Sequence, residues 1–199
     1  MSETWNKLAR DNGRKAVMSL AIDDATLDRV TEEQCAVIGP LLRPILPTGH
    51  SVLDYVLDYG CGAGRFCEFL HLLTGRAVIA YEPTDDLRDL IPYHSHVLSA
   101  KTLRYLNPTF SVIFVAMVLG DPEMEVGQVA DHIVSMLAPD GLLVVLDHMP
   151  DPLPVGRWWQ YRPMAFYQDL FRLRGISLDR LGEVDQAGNM VTILAGKRT

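Results

Sequence analysis

Strand-like and helix-like segments alternate along this chain from about residue 52 to its end. Short runs rich in β-branched residues, such as AVIAYEP, FSVIFVAMVL and LLVVLD, are separated by segments whose apolar residues recur at helical spacing. This alternation is typical of a parallel sheet covered by helices. The last two runs, ISLDRLGEV and NMVTILAG, are joined only by DQAG. Because a parallel crossover needs about a dozen residues or more, these two strands are predicted to be antiparallel neighbours.

Two helices are predicted ahead of the sheet. The first spans about residues 4–20, and the second is opened by the capping pattern TEEQ at residues 31–34. Pro40 should kink or interrupt the second helix, because it lacks a backbone donor and clashes with the preceding turn. A chain of 199 residues is long enough for one well-filled domain. We therefore predict one structural unit, with a helical cap at residues 1–47 and the α/β domain at residues 48–199.

Charge and composition argue against several functional classes. A formal net charge of −7 opposes strong binding to nucleic acid, which requires a basic face. No apolar run is long enough to cross a bilayer, and the N-terminal MSETWNKLARDNGRK lacks the apolar core of a secretion signal. The three cysteines are odd in number and show no metal-ligand spacing. We therefore expect a cytoplasmic protein without nucleic acid, membrane or metal, and of undetermined oligomeric state.

Three glycines in alternate positions follow one of two VLDY repeats in SVLDYVLDYGCGAGRF. Only the second repeat abuts Gly60, Gly62 and Gly64, so that repeat is predicted to be the strand that feeds the loop. Glycines at a strand-to-helix junction allow a tight turn and a close backbone approach to a ligand. Asp58 then lies at the carboxyl end of the strand, where open α/β sheets bind ligands. A dinucleotide-binding loop would have glycine at the position of Arg65.

The D-x-G-x-G-x-G spacing of this loop closely resembles motif I of the class I S-adenosylmethionine-dependent methyltransferases. Glu82, about 20 residues after the loop, matches the acid that ends the second strand in that family. LAPDGLLVVLD resembles the family's helix, turn and fifth strand, and YRPMAFYQDLFRLRGISL resembles the late helix and sixth strand of its small-molecule members. The resemblance extends over roughly residues 52–196. It implies a Rossmann-like three-layer sandwich with a seven-stranded, mostly parallel sheet and an antiparallel last strand.

The resemblance also implies S-adenosyl-L-methionine as cofactor. In that family the glycine loop wraps the methionyl part, the acid holds the ribose hydroxyls, and residues after the third strand flank the adenine. The residues of this chain at those positions are Asp58, Gly60, Cys61, Gly62, Gly64, Glu82, Ser99, Ala100 and Lys101. Met117, at the end of the predicted fourth strand, resembles the family's position beside the adenine and the sulfonium. Family members often carry an acid after the third strand, and this chain does not. Either backbone groups bind the adenine edge or the affinity is modest.

Methyl transfer requires alignment of an acceptor, exclusion of water and, for a hydroxyl acceptor, removal of a proton. His148 follows Asp147 at the end of the predicted fifth strand, beside the expected transfer site, and histidine titrates near neutral pH. His148 is therefore the candidate catalytic base. A supporting or merely exposed histidine is the alternative.

The segment DPLPVGRWWQYRP, residues 151–163, is predicted to be a lid or substrate wall. Arginine binds carboxylate or phosphate with two hydrogen bonds, and aromatic side chains stack on rings. The candidate substrate-binding residues are Arg157, Trp158, Tyr161 and Arg162. They favour a small acceptor that carries an anionic group or a ring. In the alternative interpretation, the aromatic residues of this segment anchor a long loop on the core.

Other functions remain open at this point. The principal prediction is methyl transfer from S-adenosylmethionine to an oxygen or nitrogen of a small molecule. The alternative is a non-catalytic module that uses the cofactor fold for binding or as a partner subunit. A metal-dependent enzyme would need carboxylates after the fourth and fifth strands, where Asp121 and Asp147 stand, but carboxylates are also common in caps and turns. A nicotinamide oxidoreductase is disfavoured by Arg65 and by the terminal strand pair.

Overall fold

The computed structural model describes residues 3–18, 21–48, 55–91, 97–98, 109–154 and 159–198. Its helices are α1 (Glu3–Asn12), α2 (Asp24–Leu42), α3 (Cys67–Thr74), α4 (Asp85–Arg88), α5 (Val126–Met136) and α6 (Met164–Arg172), with short 3-10 segments at Gly13–Val17 and Arg43–Ile45. Its strands are β1 (Tyr55–Tyr59), β2 (Ala77–Tyr81), β3 (Val97–Leu98), β4 (Phe110–Ala116), β5 (Leu137–Asp147), β6 (Asp179–Gln186) and β7 (Asn189–Lys197).

The strands of the described part of the chain form one seven-stranded sheet in the order β3-β2-β1-β4-β5-β7-β6. Strands β1 to β5 are parallel where they pair, whereas β7 runs antiparallel to both β5 and β6. The predicted seven-stranded, mostly parallel sheet with an antiparallel last strand is therefore confirmed. The strand order reverses between β1 and β4, and ligands of open α/β sheets bind at such a reversal.

Helices cover both faces of the sheet because the central strands are apolar on both sides. Leu57, Ile113 and Val145 pack on one face with residues of α5 and α6, while Phe114 and Val144 pack on the other face with residues of α2 and α3. Continuous burial of this kind is typical of strands in a parallel sheet. The result is the predicted three-layer sandwich.

Helix α2 begins earlier than the capping pattern at residues 31–34 indicates. Asp23 is the N-cap, and its Oδ1 accepts a hydrogen bond of 2.8 Å from the backbone N–H of Thr26. Thr31 instead lies within the helix and donates to the carbonyl of Leu27. Apolar residues before Thr31 already belong to the buried face of the helix, so the helix begins at the earlier cap. Pro40 lies in the last turn and does not interrupt the helix, which ends at Leu42.

The first predicted helix is shorter than expected. Helix α1 ends at Asn12, because Gly13 has a left-handed φ of +59° and the chain continues as a 3-10 segment. Of the helices that the structure describes, none combines the length and the apolar character needed to traverse a lipid bilayer.

Candidate functional site

A cavity of about 450 Å³ opens at the carboxyl ends of β1, β2, β4 and β5. Its position coincides with the reversal of strand order, and its volume is in the usual range for a small-molecule site. The residues that line it come from the glycine loop, the ends of four strands, the N-terminal segment and the β6–β7 turn. Those used below are Trp5, Val17, Asp58, Gly60, Cys61, Gly62, Arg65, Glu82, Met117, Asp121, His148, Trp159, Tyr161, Gln186 and Asn189.

The loop between β1 and α3 can be built only with glycine at its three alternate positions. Gly60, Gly62 and Gly64 have φ values of +69°, +57° and +75°. A Cβ atom at Gly60 would lie 2.6 Å from Val118 Cγ2, and one at Gly64 would lie 2.8 Å from Ile91 Cγ2. Both distances are shorter than any ordinary carbon contact. The loop therefore turns sharply and lies against its neighbours by backbone alone.

Glu82 joins the end of β2 to this loop. Its carboxylate is buried, with Oε2 accepting from the Gly62 N–H at 2.9 Å and Oε1 accepting from the Thr84 N–H at 2.8 Å. Burial raises the pKa of Glu82, and the two backbone hydrogen bonds oppose that increase. A carboxylate has about four lone-pair positions, so Glu82 can accept further hydrogen bonds from the cavity.

Asp58 lies beneath the glycine loop at the end of β1 and is 1% exposed. The Cys67 thiol donates to its Oδ2 at 3.5 Å. Burial raises the pKa of Asp58 to about 7, against the opposing effects of the Cys67 hydrogen bond and the charge of Arg65. A positive group bound in the cavity would favour the ionised form.

The end of β4 reaches the cavity through a strained residue. Met117 has a φ of +56°, which is unfavourable for a side chain, and its N–H donates to the carbonyl of Leu146 at 2.8 Å. Residues held in such conformations cluster at functional sites. The side chain of Met117 is part of the cavity wall.

At the end of β5, Asp147 is fully buried and holds three donors. It accepts from the indole N–H of Trp159 at 3.0 Å, the hydroxyl of Tyr167 at 3.0 Å and the backbone N–H of His148 at 2.7 Å. Burial raises the pKa of Asp147 to about 7, and these hydrogen bonds lower it. This carboxyl group therefore fixes the position of the residues that follow β5.

His148 lines the cavity with a fixed tautomer. Its Nδ1 lies 2.9 Å from the carbonyl oxygen of Met190, and since a carbonyl only accepts, Nδ1 carries the proton. The lone pair is then on Nε2, for which no partner is found among the described residues. Burial lowers the pKa of His148, so the ring is neutral at pH 7. A neutral imidazole with a free Nε2 can accept a proton.

Residues 159–163 of the predicted lid are attached firmly to the core. A Cβ atom at Gly120 would lie 2.0 Å from the Trp159 ring, and the Gln160 N–H donates to the Gly120 carbonyl at 2.7 Å. Arg162 is buried, and its Nη1 donates to the carbonyl of Leu119 at 2.5 Å. Arg162 thus supports the segment from beneath and is not part of the cavity wall. Trp159, which belongs to the predicted lid but was not among the candidate substrate-binding residues, also lines the cavity.

The N-terminal segment covers the open side of the cavity. The indole N–H of Trp5 donates to Asp121 Oδ2 at 2.9 Å, and Arg10 pairs with Asp86 at 2.8 Å. Val17 lies directly over Gly62, where a Cβ atom would approach Val17 Cγ1 to 2.6 Å. These contacts join α1 and the 3-10 segment to the glycine loop after β1, to α4 after β2 and to the segment after β4.

Asp121 and Asp147, the carboxylates considered for a metal site, are engaged by Trp5 and by Trp159. Within the described ranges, no three histidine, cysteine or acidic residues are grouped so that they could hold a metal ion.

Most of the predicted site residues come together around the cavity. Asp58, Gly60, Cys61, Gly62, Glu82, Met117, His148 and Tyr161 line it, and Gly64 lies behind the loop against Ile91. Ser99, Ala100, Lys101, Arg157 and Trp158 lie outside the described residues. Arg162 is placed away from the cavity.

Several lining residues, among them Arg65, Gln186 and Asn189, were not predicted as site residues from the sequence. Arg65 was considered only as the residue that breaks a dinucleotide motif, and Gln186 and Asn189 only as parts of a strand connection. The position of Arg65 directly after the last glycine of the loop was an available signal. Nothing in the sequence indicates that the β6–β7 turn reaches the cavity.

Comparisons with known proteins agree with this geometry. A family model for a methyltransferase domain matches residues 28–183. No curated protein matches the chain. Among solved structures, magnesium protoporphyrin IX methyltransferase from Synechocystis PCC 6803, with bound SAH, is 17% identical with a TM-score of 0.70, over 99% of this chain and 97% of that chain.

Two further structures have the same fold. CalS10, an amino pentose methyltransferase from Micromonospora echinaspora, is 17% identical with a TM-score of 0.66, over 88% of this chain and 95% of that chain. The 1,6-didemethyltoxoflavin-N1-methyltransferase from Burkholderia thailandensis is 18% identical with a TM-score of 0.64, over 88% and 81%. At these identities the structures establish the fold alone. Because the family model covers more than half of the sequence, this chain belongs to the methyltransferase-domain family, as its glycine loop and Glu82 predicted.

Proposed function

We propose that this chain is an S-adenosylmethionine-dependent methyltransferase that acts on an oxygen or nitrogen atom of a small-molecule acceptor. The observation that carries the proposal is the hydrogen bond between the Gly62 N–H and Glu82, at 2.9 Å. It joins the glycine loop and the acid of β2 into one wall of a cavity at the carboxyl edge of the sheet. In the same proposal, residues 1–47 act as a helical cap on a methyltransferase domain at 48–199.

The residues of this wall fit that cofactor by charge. S-adenosylmethionine carries a positive sulfonium, a positive ammonium and a ribose diol. Asp58 and Glu82 are acidic, and Arg65 is the one arginine or lysine among the described residues that line the cavity. Glu82 keeps lone pairs for ribose hydroxyls beyond its two backbone hydrogen bonds. A pyrophosphate would instead meet two carboxyl groups, which disfavours a dinucleotide.

When bound, the cofactor supplies an electrophilic methyl group on sulfur. The chain's own residues then have three tasks. Trp5 and Val17 exclude water from above the glycine loop. Trp159 and Tyr161 form the wall that orients the acceptor. His148 accepts the proton of the acceptor at Nε2. The last task is needed only for an acceptor that is protonated at the reacting atom.

The acceptor is proposed to be small and to contain a ring. Trp159 and Tyr161 present aromatic surface to the cavity, and the rings of Tyr161 and His148 lie 6.1 Å apart between centroids. Aromatic walls of this kind suit flat substrates. The neighbours in the comparison are named for acceptors of different kinds, a porphyrin, an amino sugar and a toxoflavin precursor, so the fold does not select among them.

The proposal is tested by calorimetric titration of the purified chain with S-adenosylmethionine, S-adenosylhomocysteine and NAD. We expect saturable binding of the first two and none of NAD. Glu82→Ala should weaken binding by about 1.5–3 kcal/mol, the contribution of charge-assisted hydrogen bonds. Heat of binding with NAD alone would refute the assignment.

A further inference from the structure

One wall of the cavity contains Arg65, which has no carboxylate hydrogen-bond partner among the residues that the structure describes. Nη1 of Arg65 lies 2.5 Å from Gln34 Oε1, and Nη2 lies 3.2 Å from Gln186 Oε1. The guanidinium also stacks on Phe66, 4.1 Å from the ring centroid. Within the described residues, every hydrogen-bond acceptor at this guanidinium is therefore a neutral carboxamide oxygen.

A partly buried cation whose hydrogen-bond partners are neutral costs free energy, and a charged group in this situation in a cleft is a candidate for a functional role. Burial lowers the pKa of Arg65 to about 10, so the group stays charged at neutral pH. Asp58 is the acid whose charge acts on Arg65, but its own hydrogen bond is with Cys67. A guanidinium has five N–H donors, of which the two glutamines occupy two. The remaining donors are available to a ligand.

Arg65 follows β1, but its guanidinium is held toward the far side of the sheet. Gln186 is the last residue of β6, and Asn189 is the first residue of β7. Asp147, the last residue of β5, pairs with Thr192 of β7, so the β6–β7 turn extends beyond the end of β5. Glu82 follows β2, which is separated from β7 by β1, β4 and β5. At about 4.8 Å per strand, the axes of β2 and β7 are roughly 19 Å apart.

We propose that Arg65, positioned by Gln34 and Gln186, binds a carboxylate of the methyl acceptor and thereby selects anionic substrates. The inference rests on the proposed function, in which Glu82 marks the ribose end of the cavity. In this proposal Arg65 takes the anion-binding role that the sequence assigned to Arg162, because Arg162 donates to the carbonyl of Leu119. The cofactor also carries a carboxylate, so the test must distinguish the two sources.

The test uses 4-hydroxybenzoate and 4-hydroxybenzamide as probes, because they differ only in the charged group. Each is titrated into protein saturated with S-adenosylhomocysteine, and into protein alone. We expect the benzoate to bind at least about tenfold more tightly than the amide, as one charge-assisted hydrogen bond predicts. Arg65→Gln should abolish this preference while changing the affinity for S-adenosylhomocysteine by less than about threefold.

Two further variants keep the result interpretable. Arg172→Gln removes the same charge from an exposed arginine paired with Asp169 on α6, and it should behave as the parent. Arg65→Lys retains the charge but not the planar fork, so it should keep part of the preference for the benzoate. This variant tests the inference if Arg65→Gln does not fold.

Equal affinity for the two probes in the parent, or binding of neither at millimolar concentration, would overturn the inference. A loss of more than about tenfold in S-adenosylhomocysteine affinity in Arg65→Gln would also overturn it, because Arg65 would then bind the cofactor's carboxylate. Failure of the parent to bind S-adenosylhomocysteine would refute the proposed function instead, and the probe preference would still be measured in protein alone.

Discussion

At the scale of single residues, Gly62 shows how backbone conformation and packing act together in the site. Its φ of +57° is a conformation that side chains rarely adopt, and Val17 occupies the space where its Cβ would lie. Gly75, at the end of α3, has a similar φ of +67° with no atom within 4 Å of its Cβ position. Gly75 therefore serves as a control that separates the cost of the left-handed conformation from the cost of the contact between Gly62 and Val17.

We predict that Gly75→Ala lowers the free energy of unfolding by about 1 kcal/mol, because left-handed strain exceeds the gain from a stiffer unfolded chain. Gly62→Ala should cost a further 1–3 kcal/mol or so, the usual effect of overpacking. In a Val17→Ala background that further cost should largely disappear. Urea unfolding of the four variants measures these differences, and equal costs for the two glycines would show that Val17 moves freely.

At the scale of elements, the segment after β5 is a wall attached to the ends of two strands. Trp159 packs on Gly120 and donates to Asp147, and Arg162 donates to the carbonyl of Leu119. These contacts favour the interpretation of residues 159–163 as a packed connection. Whether residues 151–163 close as a lid stays a prediction.

Trp159→Phe keeps most of the packing on Gly120 but leaves Asp147 with one donor fewer. We expect it to lower the free energy of unfolding by about 1–3 kcal/mol, the cost of a lost hydrogen bond to a buried charged group. Tyr161→Phe, in the same wall, should change stability by less than about 0.5 kcal/mol, because no described residue bonds to its hydroxyl. Thermal and urea unfolding test both, and similar effects of the two variants would contradict the anchoring role.

At the scale of the whole molecule, stability depends on two buried carboxyl groups, those of Asp58 and Asp147. Among the described residues, no cationic side chain donates a hydrogen bond to either of them. Burial raises the pKa of both Asp58 and Asp147 to about 7, compared with 3.8 when unperturbed. Between pH 3.8 and about 7 the folded chain therefore binds more protons at these sites than the unfolded chain. The contribution of these two groups to the free energy of unfolding is complete below pH 3.8 and is lost as the pH rises to about 7.

We predict that Asp147→Asn becomes more stable relative to the parent as the pH rises from about 4 to 7. The asparagine oxygen can accept from Trp159 and His148, and the Tyr167 hydroxyl can turn to accept from its amide. Urea unfolding at several pH values compares the two chains. Parallel pH profiles would mean that Asp147 is ionised throughout, stabilised by its three donors.

The sequence alone determined the features that depend on neighbouring residues. The alternating segments specified the layered fold, and the DQAG turn specified the antiparallel strands. The loop from Asp58 to Gly64 specified the site, because a strand, a turn and the start of a helix follow one another there. Glu82 could be predicted because a parallel neighbour brings it to the same edge. The exception was the start of α2, where two competing caps of similar quality are present and packing decided between them.

The tertiary structure decided everything that joins distant segments. Arg65 contacts residues 31 and 121 positions away in the chain, and Trp159 meets Gly120 and Asp147 from a third element. An arginine such as Arg162 looks the same in the sequence whether it faces a ligand or a backbone carbonyl. The sequence therefore could not show that Arg162 lies away from the cavity, nor that Gln34 and Gln186 hold Arg65 in the cavity wall. That choice depends on which surfaces meet when the sheet is packed, and no local pattern encodes it.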